Sequence, residues 1–498
     1  MAYAPTARLL GDLVSSVADV ELVRGAPSTL VTGITQDSRR VSPGDLFVAV
    51  PGFERDGLEF VPDALARGAA AVAAESRPSV EMPTVLVANA RHALADLSAA
   101  FFDHPSRDLA VVGVTGTDGK TSTTHLLSAI LEAHGLRTGW LTTVNTRVAD
   151  DVRSNAADHT TPEAPIVQYT LAEMRAAHLD VAVVETSSHA LSLDRVRGVD
   201  FKTGVFTNLS PEHINFHGSF EAYLAAKRLL FERLPPEGVA VLNADDAHAE
   251  TMRAATRARI LTYGLDQPAD FNARDIVLTA HGTTFVLLPG AHSVETRLVG
   301  RFNVSNWLAA FAAATVFGAT PDDVVRAAAA QPPVAGRMNL VDAGQPFAVV
   351  VDFAHTPQAL EKALDTVRSL VRGRVLLAFG LAGGRDAANR RVMGALAARK
   401  ADFFVITMDD PGHEDPAAIA AQIAAGASDV GGRFAIELDR RAAIRFLFGR
   451  AEPGDAVLLA GKGHEQRMVI GDVKLPWNDG CAAAEVLAGL GYSNRAVP

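Results

Sequence analysis

From residue 109 onward the chain alternates short, unbroken apolar runs with helical stretches, and nothing else in it constrains the fold as strongly. The runs fall at 109–114, 138–142, 181–184, 203–206 and 239–242, then at 348–351, 375–379, 403–406, 434–438 and 456–459. A strand that is apolar on both faces must be covered on both faces. Helices between successive strands supply that cover, so a parallel, doubly wound sheet is predicted twice over. Residues 276–288 differ, reading as a β-hairpin that turns at His281-Gly282 and forms a small antiparallel appendage. Residues 28–107 read as a separate α/β unit, its apolar runs broken at Pro51-Gly52 and Arg67-Gly68. At 498 residues the chain exceeds what one hydrophobic core supports. Three α/β domains are expected, over 1–107, 108–332 and 333–498, with the Pro- and Gly-bearing segment 327–338 as a linker.

The formal net charge of −11 argues against a nucleic-acid partner, so a polyphosphate ligand must be held by local features. Cys481 is the only cysteine, which excludes disulfide frameworks and thiolate metal sites and suits a reducing compartment. The N-terminus lacks the basic start and apolar run of a signal peptide, and 18 consecutive apolar residues occur nowhere. A soluble, cytoplasmic, monomeric protein without a membrane span is expected.

The sharpest local signal lies in residues 111–127, where an apolar strand enters Gly116-Thr117-Asp118-Gly119-Lys120-Thr121 and a helix begins at once. Backbone N–H groups of such a turn converge on phosphate oxygens, and the helix N-terminus adds partial positive charge. Lys120 can reach terminal phosphates, and the Thr121 hydroxyl can ligate Mg²⁺. The alternative is an ordinary Gly-rich strand–helix turn, which leaves the Lys-Thr pair unexplained. A kinase, a switch and a ligase would all use such a loop.

Glu185 follows the run 181–184 at the end that faces the crevice of an open parallel sheet, where a carboxylate can hold Mg²⁺ beside a nucleotide. Its alternative is a helix-capping acid. His213 and His217 follow another strand, either as metal ligands or as hydrogen-bonded core histidines. In the next helix Phe220, Tyr223, Leu224, Lys227, Leu230, Phe231 and Leu234 share one face, so Lys227 lies within an apolar stripe. An ammonium there must snorkel outward, pair with an acid, or lose its charge.

These residues, in order along nearly the whole chain, resemble the Mur ligases. The phrases are Asp37-Ser38-Arg39 with Pro43-Gly44-Asp45, the loop 116–121, Glu185-Thr-Ser-Ser-His-Ala190, Thr207-Asn-Leu-Ser with His213 and His217-Gly218, and Glu221-Ala-Tyr with Lys227. Further on come Gly300-Arg-Phe-Asn303 with Asn306, Asp352 with Ala-His-Thr-Pro357, and Gly461-Lys-Gly-His-Glu465. The resemblance is strongest to the MurE branch, which adds the third peptide residue.

The resemblance implies ATP-dependent, ADP-forming ligation of an amino acid to UDP-MurNAc-L-Ala-D-Glu through an acyl-phosphate, in peptidoglycan biosynthesis. It implies a UDP-sugar domain, a central ATP-binding domain and a Rossmann-like amino-acid domain, with ATP and Mg²⁺ as cofactors. Lys227 aligns with a lysine that carries a CO₂-derived carbamate; with Glu185 and His213 it would hold one Mg²⁺, while Thr121 holds another. Catalysis would rest on Lys120, Glu185, His213 and Lys227. The loop 116–121 with Ser122 would bind the phosphates, Asn303 and Asn306 would lie near adenine, and Arg337 and Asp352 near the ribose or phosphates. Ser38 would contact the uridine end, and Thr160, Thr161, Ser188 and Arg195 the sugar-peptide, with Thr160-Thr161-Pro162 opening a helix.

Arg390 would clamp the incoming α-carboxylate and Glu465 would meet an amino group, with Asp409, Asp410, Gly412, His413 and Gly461 nearby. Relatives that add meso-diaminopimelate typically carry Arg at the place of Gly412, where a second carboxylate wants a guanidinium. Gly412 amid Asp409, Asp410, Glu414 and Asp415 suggests L-lysine or L-ornithine instead, although Asp415-Pro416 also suits a helix cap. Two rivals remain: a folate-extending ligase, which lacks the N-terminal unit, and a nucleotide switch, which leaves Glu185, His213, Lys227, Arg390 and Glu465 unexplained. Asp118, where Asn is usual, and Gly384, where many relatives carry an acid, are departures without an assigned consequence.

Overall fold

The computed structural model describes residues 3–15, 17–18, 20–53, 55–155, 160–279, 282–384 and 387–492. Three main sheets run along it. The first holds five strands in the order Val20–Arg24, Thr84–Val87, Ala71–Ala74, Asp45–Val48, Gly33–Thr35, parallel except for Val20–Arg24. That edge strand lies before residue 28, so the N-terminal unit begins earlier than its apolar runs suggest. Its core continues across the next boundary: Ala164 and Ala172 of helix Ala164–Ala176 pack into the same cluster as Leu94, Leu97 and Phe101.

The central sheet has eleven strands. Parallel strands Thr138–Leu141, Val181–Glu185, Ala110–Thr115, Phe201–Phe206, Val239–Asn243 and Arg259–Gly264 form its middle in that spatial order. Val111, Val112 and Val114 are wholly buried, as the predicted two-sided cover requires. The predicted hairpin is present and longer: Phe271–Thr279 pairs antiparallel with Gly282–Leu288, and His292–Thr296 adds a third strand. Phe271–Thr279 pairs in parallel with Arg259–Gly264, so the hairpin extends the central sheet and buries Phe285 and Leu287 in the main core. Its turn residue His281 lies outside the described residues.

Helix Pro321–Ala330 runs through the first four residues of the expected linker, because the alanines of 327–330 continue it and Ala327 and Ala328 are buried; only 331–338 is extended or turn. The third sheet has order Asn339–Leu340, Ala348–Asp352, Ala456–Ala460, Val375–Phe379, Phe403–Ile406, Phe434–Ile436, parallel apart from the first pair. No helix among the described residues is long and apolar enough to cross a membrane.

This topology fixes one location. Strand Ala110–Thr115 sits between Val181–Glu185 and Phe201–Phe206, with Val114 level with Glu185 and Thr115 level with Phe206. The chain leaves that strand toward one side and returns to the other, so a crevice opens at these three carboxyl ends.

Candidate active site

The turn 116–119 leads into helix Lys120–Ala133, with Gly119 at φ +83 as its cap. Gly116 adopts φ +149, and a Cβ there would run into Thr207 Oγ1, so the turn needs glycine sterically as well as conformationally. The neighbouring strand end grips the loop. Thr117 N donates to Asn208 O at 2.8 Å, Asp118 N to Asn208 Oδ1 at 3.0 Å, and Thr207 Oγ1 to Asp118 O at 2.6 Å.

Lys120 curls over the loop, its Nζ donating to Gly116 O at 3.0 Å and Thr117 O at 2.7 Å. Lys227 arrives at the same carbonyl from helix Phe220–Glu232, its Nζ donating to Gly116 O at 2.7 Å. Lys227 is 1% exposed and stands 4.6 Å over the Tyr223 ring, so the snorkelling alternative is excluded, and its partner is a carbonyl and not an acid. Burial, reinforced by the nearby Lys120, pushes the Lys227 amine well below the usual lysine range. The Tyr223 hydroxyl lies 2.9 Å from Thr117 Oγ1, tying that helix to the loop a second time.

Glu185 is buried and does not cap a helix; Ser187 caps the helix that follows. Its Oε1 accepts from Thr121 Oγ1 at 2.9 Å, and its Oε2 accepts from Thr143 N at 2.5 Å and Thr143 Oγ1 at 3.0 Å. Ser122, also buried, follows in the first helical turn. His213 sits at φ +56, its Nε2 3.4 Å from Glu212 Oε1. His217 keeps a buried Nε2 without a hydrogen-bond partner among the described residues.

On the other side of the loop helix, Asn306 Oδ1 lies so close to Gly119 that an added Cβ would stand 2.6 Å from it. Asn303 accepts from Asn306 Nδ2 at 3.2 Å and is itself anchored to Val299 O at 2.8 Å. Arg337, from the start of the third unit, reaches Thr121 Oγ1 at 3.5 Å. Asp352 accepts from Met338 N at 2.8 Å, and burial raises its carboxyl against the lowering effect of Arg337.

Thr161 is buried, and its hydroxyl donates to Glu185 O at 2.7 Å. The helix does not open at Thr160-Thr161-Pro162; it starts at Ala164, with Glu163 at its cap position and Pro165 in its first turn, where a residue without an N–H suits a helix start. Arg195 holds Thr161 O at 3.0 Å and Glu163 Oε1 at 2.7 Å. Ser188 is buried at the start of its own helix, and Ser38 lies apart in the first unit, in the turn Ser38–Arg40 capped by Asp37.

In the third unit the acidic run is already partnered. Lys462, with no exposed surface, places Nζ 2.5 Å from Glu465, 2.7 Å from Asp410 and 3.6 Å from Asp409. Burial raises the carboxyls of Asp409 and Glu465, with Lys462 opposing. Arg390 pairs with Glu414 at 2.9 Å, and Asp415 caps helix Pro416–Ser428. Gly461 closes the group: a Cβ there would stand 2.6 Å from Asp409 Oδ2. Gly412 has φ +56, with open space where a Cβ would stand, and bridges Ile470. His413 is exposed, 3.3 Å from Asp472. Arg385 and Asp386 of the quoted 384–390 phrase lie outside the described residues.

Sequence reasoning gave no site role to Asn208, Glu212, His355 and Lys462, and to Tyr223 only a place in an apolar stripe. All but Glu212 stand inside phrases it quoted, so the signal was present and the roles were not. The site gathers two lysines, hydroxyl and carboxylate oxygens, and buried polar atoms without hydrogen-bond partners among the described residues, including Asp118 Oδ2, Ser210 Oγ and Arg337 Nε. Such a pocket can neutralise and orient a polyphosphate.

Comparison with known proteins gives three family matches: "Mur ligase family, catalytic domain" over residues 30–102, "Mur ligase middle domain" over 114–314, and "Mur ligase, glutamate ligase domain" over 336–463. A UDP-N-acetylmuramyl-tripeptide synthetase of Roseiflexus sp. (strain RS-1) is 45% identical over 93% of this chain and 95% of its own. A UDP-N-acetylmuramoyl-L-alanyl-D-glutamate--2,6-diaminopimelate ligase of Geobacillus kaustophilus is 43% identical over 91% and 94%. A solved structure of a ligase of that second name aligns with TM-score 0.67 and 30% identity over 99% of this chain and 100% of its own.

Proposed function

Because the chain belongs to the Mur ligase family, whose members are ATP-dependent, ADP-forming ligases, we propose that it joins a diamino acid to UDP-MurNAc-L-Ala-D-Glu in peptidoglycan synthesis, as a monomer of the cytoplasm. The observation that carries the reading is the meeting of Lys120 and Lys227 on the single carbonyl of Gly116, beside the Thr121–Glu185 pair.

The reaction brings the dipeptide carboxylate onto the γ-phosphorus of ATP, and an amine then displaces phosphate to form the amide. Two anions must meet, so charge neutralisation is the central demand. Lys120 leaves its carbonyl partners for the terminal phosphates, while the start of helix Lys120–Ala133 cradles the rest. Asn303, Asn306, Arg337 and Asp352 border the adenosine end. Ser38, Thr160, Thr161, Ser188 and Arg195 serve the UDP-sugar-peptide.

Thr121, Glu185 and His213 offer donors that suit Mg²⁺, which when bound screens the γ-phosphate. Burial, reinforced by Lys120 on the same carbonyl, disfavours the ammonium form of Lys227, which of the two amines is the one biased toward the neutral state. An unprotonated amine there could add to CO₂, forming a C–N bond and releasing a proton, and the carbamate would offer oxygen donors beside Thr121, Glu185 and His213.

Arg390, Asp409, Asp410, Gly412, His413, Gly461 and Glu465 border the amine site. The reading with L-lysine or L-ornithine rests on Gly412, which brings no guanidinium for a second carboxylate, since the acidic run is already paired. The names of relatives such as the Geobacillus ligase favour meso-diaminopimelate as a second reading. ADP release with UDP-MurNAc-dipeptide and each of the three amines decides. Release that needs both substrates supports a ligase, and release without either marks a switch. Preference for diaminopimelate overturns the reading of Gly412.

A further inference from the structure

Two side chains join the central and third units beside the phosphate loop, and the mechanism above uses neither. Glu212 lies in the loop after strand Phe201–Phe206, and His355 in the loop after strand Ala348–Asp352. Their contact, His355 Nε2 to Glu212 Oε1, measures 3.3 Å. His355 Nδ1 lies 2.8 Å from Phe353 O, a carbonyl that can only accept, so this nitrogen carries a proton. With a carboxylate against Nε2 as well, both ring nitrogens face acceptors and the ring is an imidazolium.

The surroundings give the pair a direction. Glu212 also faces His213 Nε2 at 3.4 Å and feels Lys120, so it is anchored at the phosphate loop. His355 packs on Phe353, whose ring also carries Arg337 at 4.7 Å and His464 at 4.8 Å. Phe353 thus links the pair to the Gly461–Glu465 phrase that borders the amine site. A backbone carrying Phe353 and His355 cannot swing away from the loop without breaking the Glu212 contact.

We propose that Glu212 and His355 are positioning residues, a latch that holds the amine-binding unit against the phosphate loop while the acyl-phosphate is attacked. The inference rests on the proposed ligase function and adds residues to it.

The test uses full-length Glu212→Gln, His355→Gln and the double variant, each checked for cooperative unfolding, with His355→Asn in reserve. Each single change is expected to raise KM for the diamino acid roughly tenfold or more while KM for ATP stays within about twofold. The double variant is expected to be no worse than the weaker single, because one contact can be lost only once. Multiplied effects overturn the latch, as does a rise in the KM for ATP from Glu212→Gln alone, which would place the effect on His213. X-ray scattering with a non-hydrolysable ATP analogue reads the spacing of the units without turnover. Expansion in both singles supports the latch, and unchanged dimensions overturn it. Wild-type protein that ligates none of the three amines refutes the ligase reading instead, while scattering still decides the latch.

Discussion

In the proposed reaction a single buried amine carries much of the chemistry. Lys227 is buried and shares its carbonyl with Lys120, so its ammonium form is disfavoured where the proposed reaction calls for an anion. Lys227→Ala is expected to lower ADP formation about a hundredfold or more, and formate or propionate at high concentration to restore part of it. Rescue by neutral solutes of similar size would contradict an anionic role. Elsewhere a buried charge is fully paired: Arg440 grips Asp479 through two bonds, at 2.7 and 2.6 Å, with Trp477 Nε1 adding a third at 2.8 Å. Asp479→Ala leaves that guanidinium uncompensated and is expected to cost about 3–5 kcal/mol in denaturant unfolding. A loss under 1 kcal/mol would show that water enters easily.

Elements are held by local chemistry that titration can read. Helix Pro321–Ala330 begins with a capping box in which Asp323 Oδ2 accepts from Thr320 N at 2.7 Å and Thr320 Oγ1 at 2.9 Å. Burial would raise the Asp323 carboxyl, but those bonds and His134 outweigh it, and the group is lowered overall. A lowered folded value means the unfolded chain binds the proton more readily. The stabilisation is therefore present above the ordinary aspartate range near pH 4 and fades as the pH falls through the folded value. Asp323→Asn is expected to lose roughly 1 kcal/mol at pH 7 and to converge with wild type near pH 2 in thermal scans. A constant gap across pH would rule the linkage out. The loop itself should tolerate no side chain at Gly116: Gly116→Ala is expected to abolish ATP binding by calorimetry, since its Cβ meets Thr207.

At the scale of the molecule, three sheets are not three independent bodies. Helix Ala164–Ala176 belongs to the central unit by sequence and to the first unit's core by packing. The third unit touches the central one through Glu212–His355 and Arg337–Thr121, and Phe302 packs on its core. ATP with Mg²⁺ at a hundredfold excess over Kd is expected to stabilise the protein by about 2.7 kcal/mol. In a calorimetric scan the transition that contains the phosphate loop should move, and any separate transition of the third unit should move less. Equal shifts would mean that the whole chain unfolds as one.

The phosphate loop, the strand sequence and the two-sided sheets were legible because each depends on neighbours within about ten residues: apolar runs, glycine turns and a lysine at fixed spacing. Long-range pairing was not. The partner of Lys227 lies 111 residues away at Gly116, and that of Glu212 lies 143 away at His355. The clearest case is the acidic segment 409–415, which by itself suggests a receptor for an ammonium but proves to be partly paired from within the protein, by Lys462 and Arg390. By itself the sequence determined which residues can carry charge and where the apolar strand runs lie. Only the folded chain decided which charges meet, because Coulomb attraction and desolvation act through space and ignore distance along the backbone.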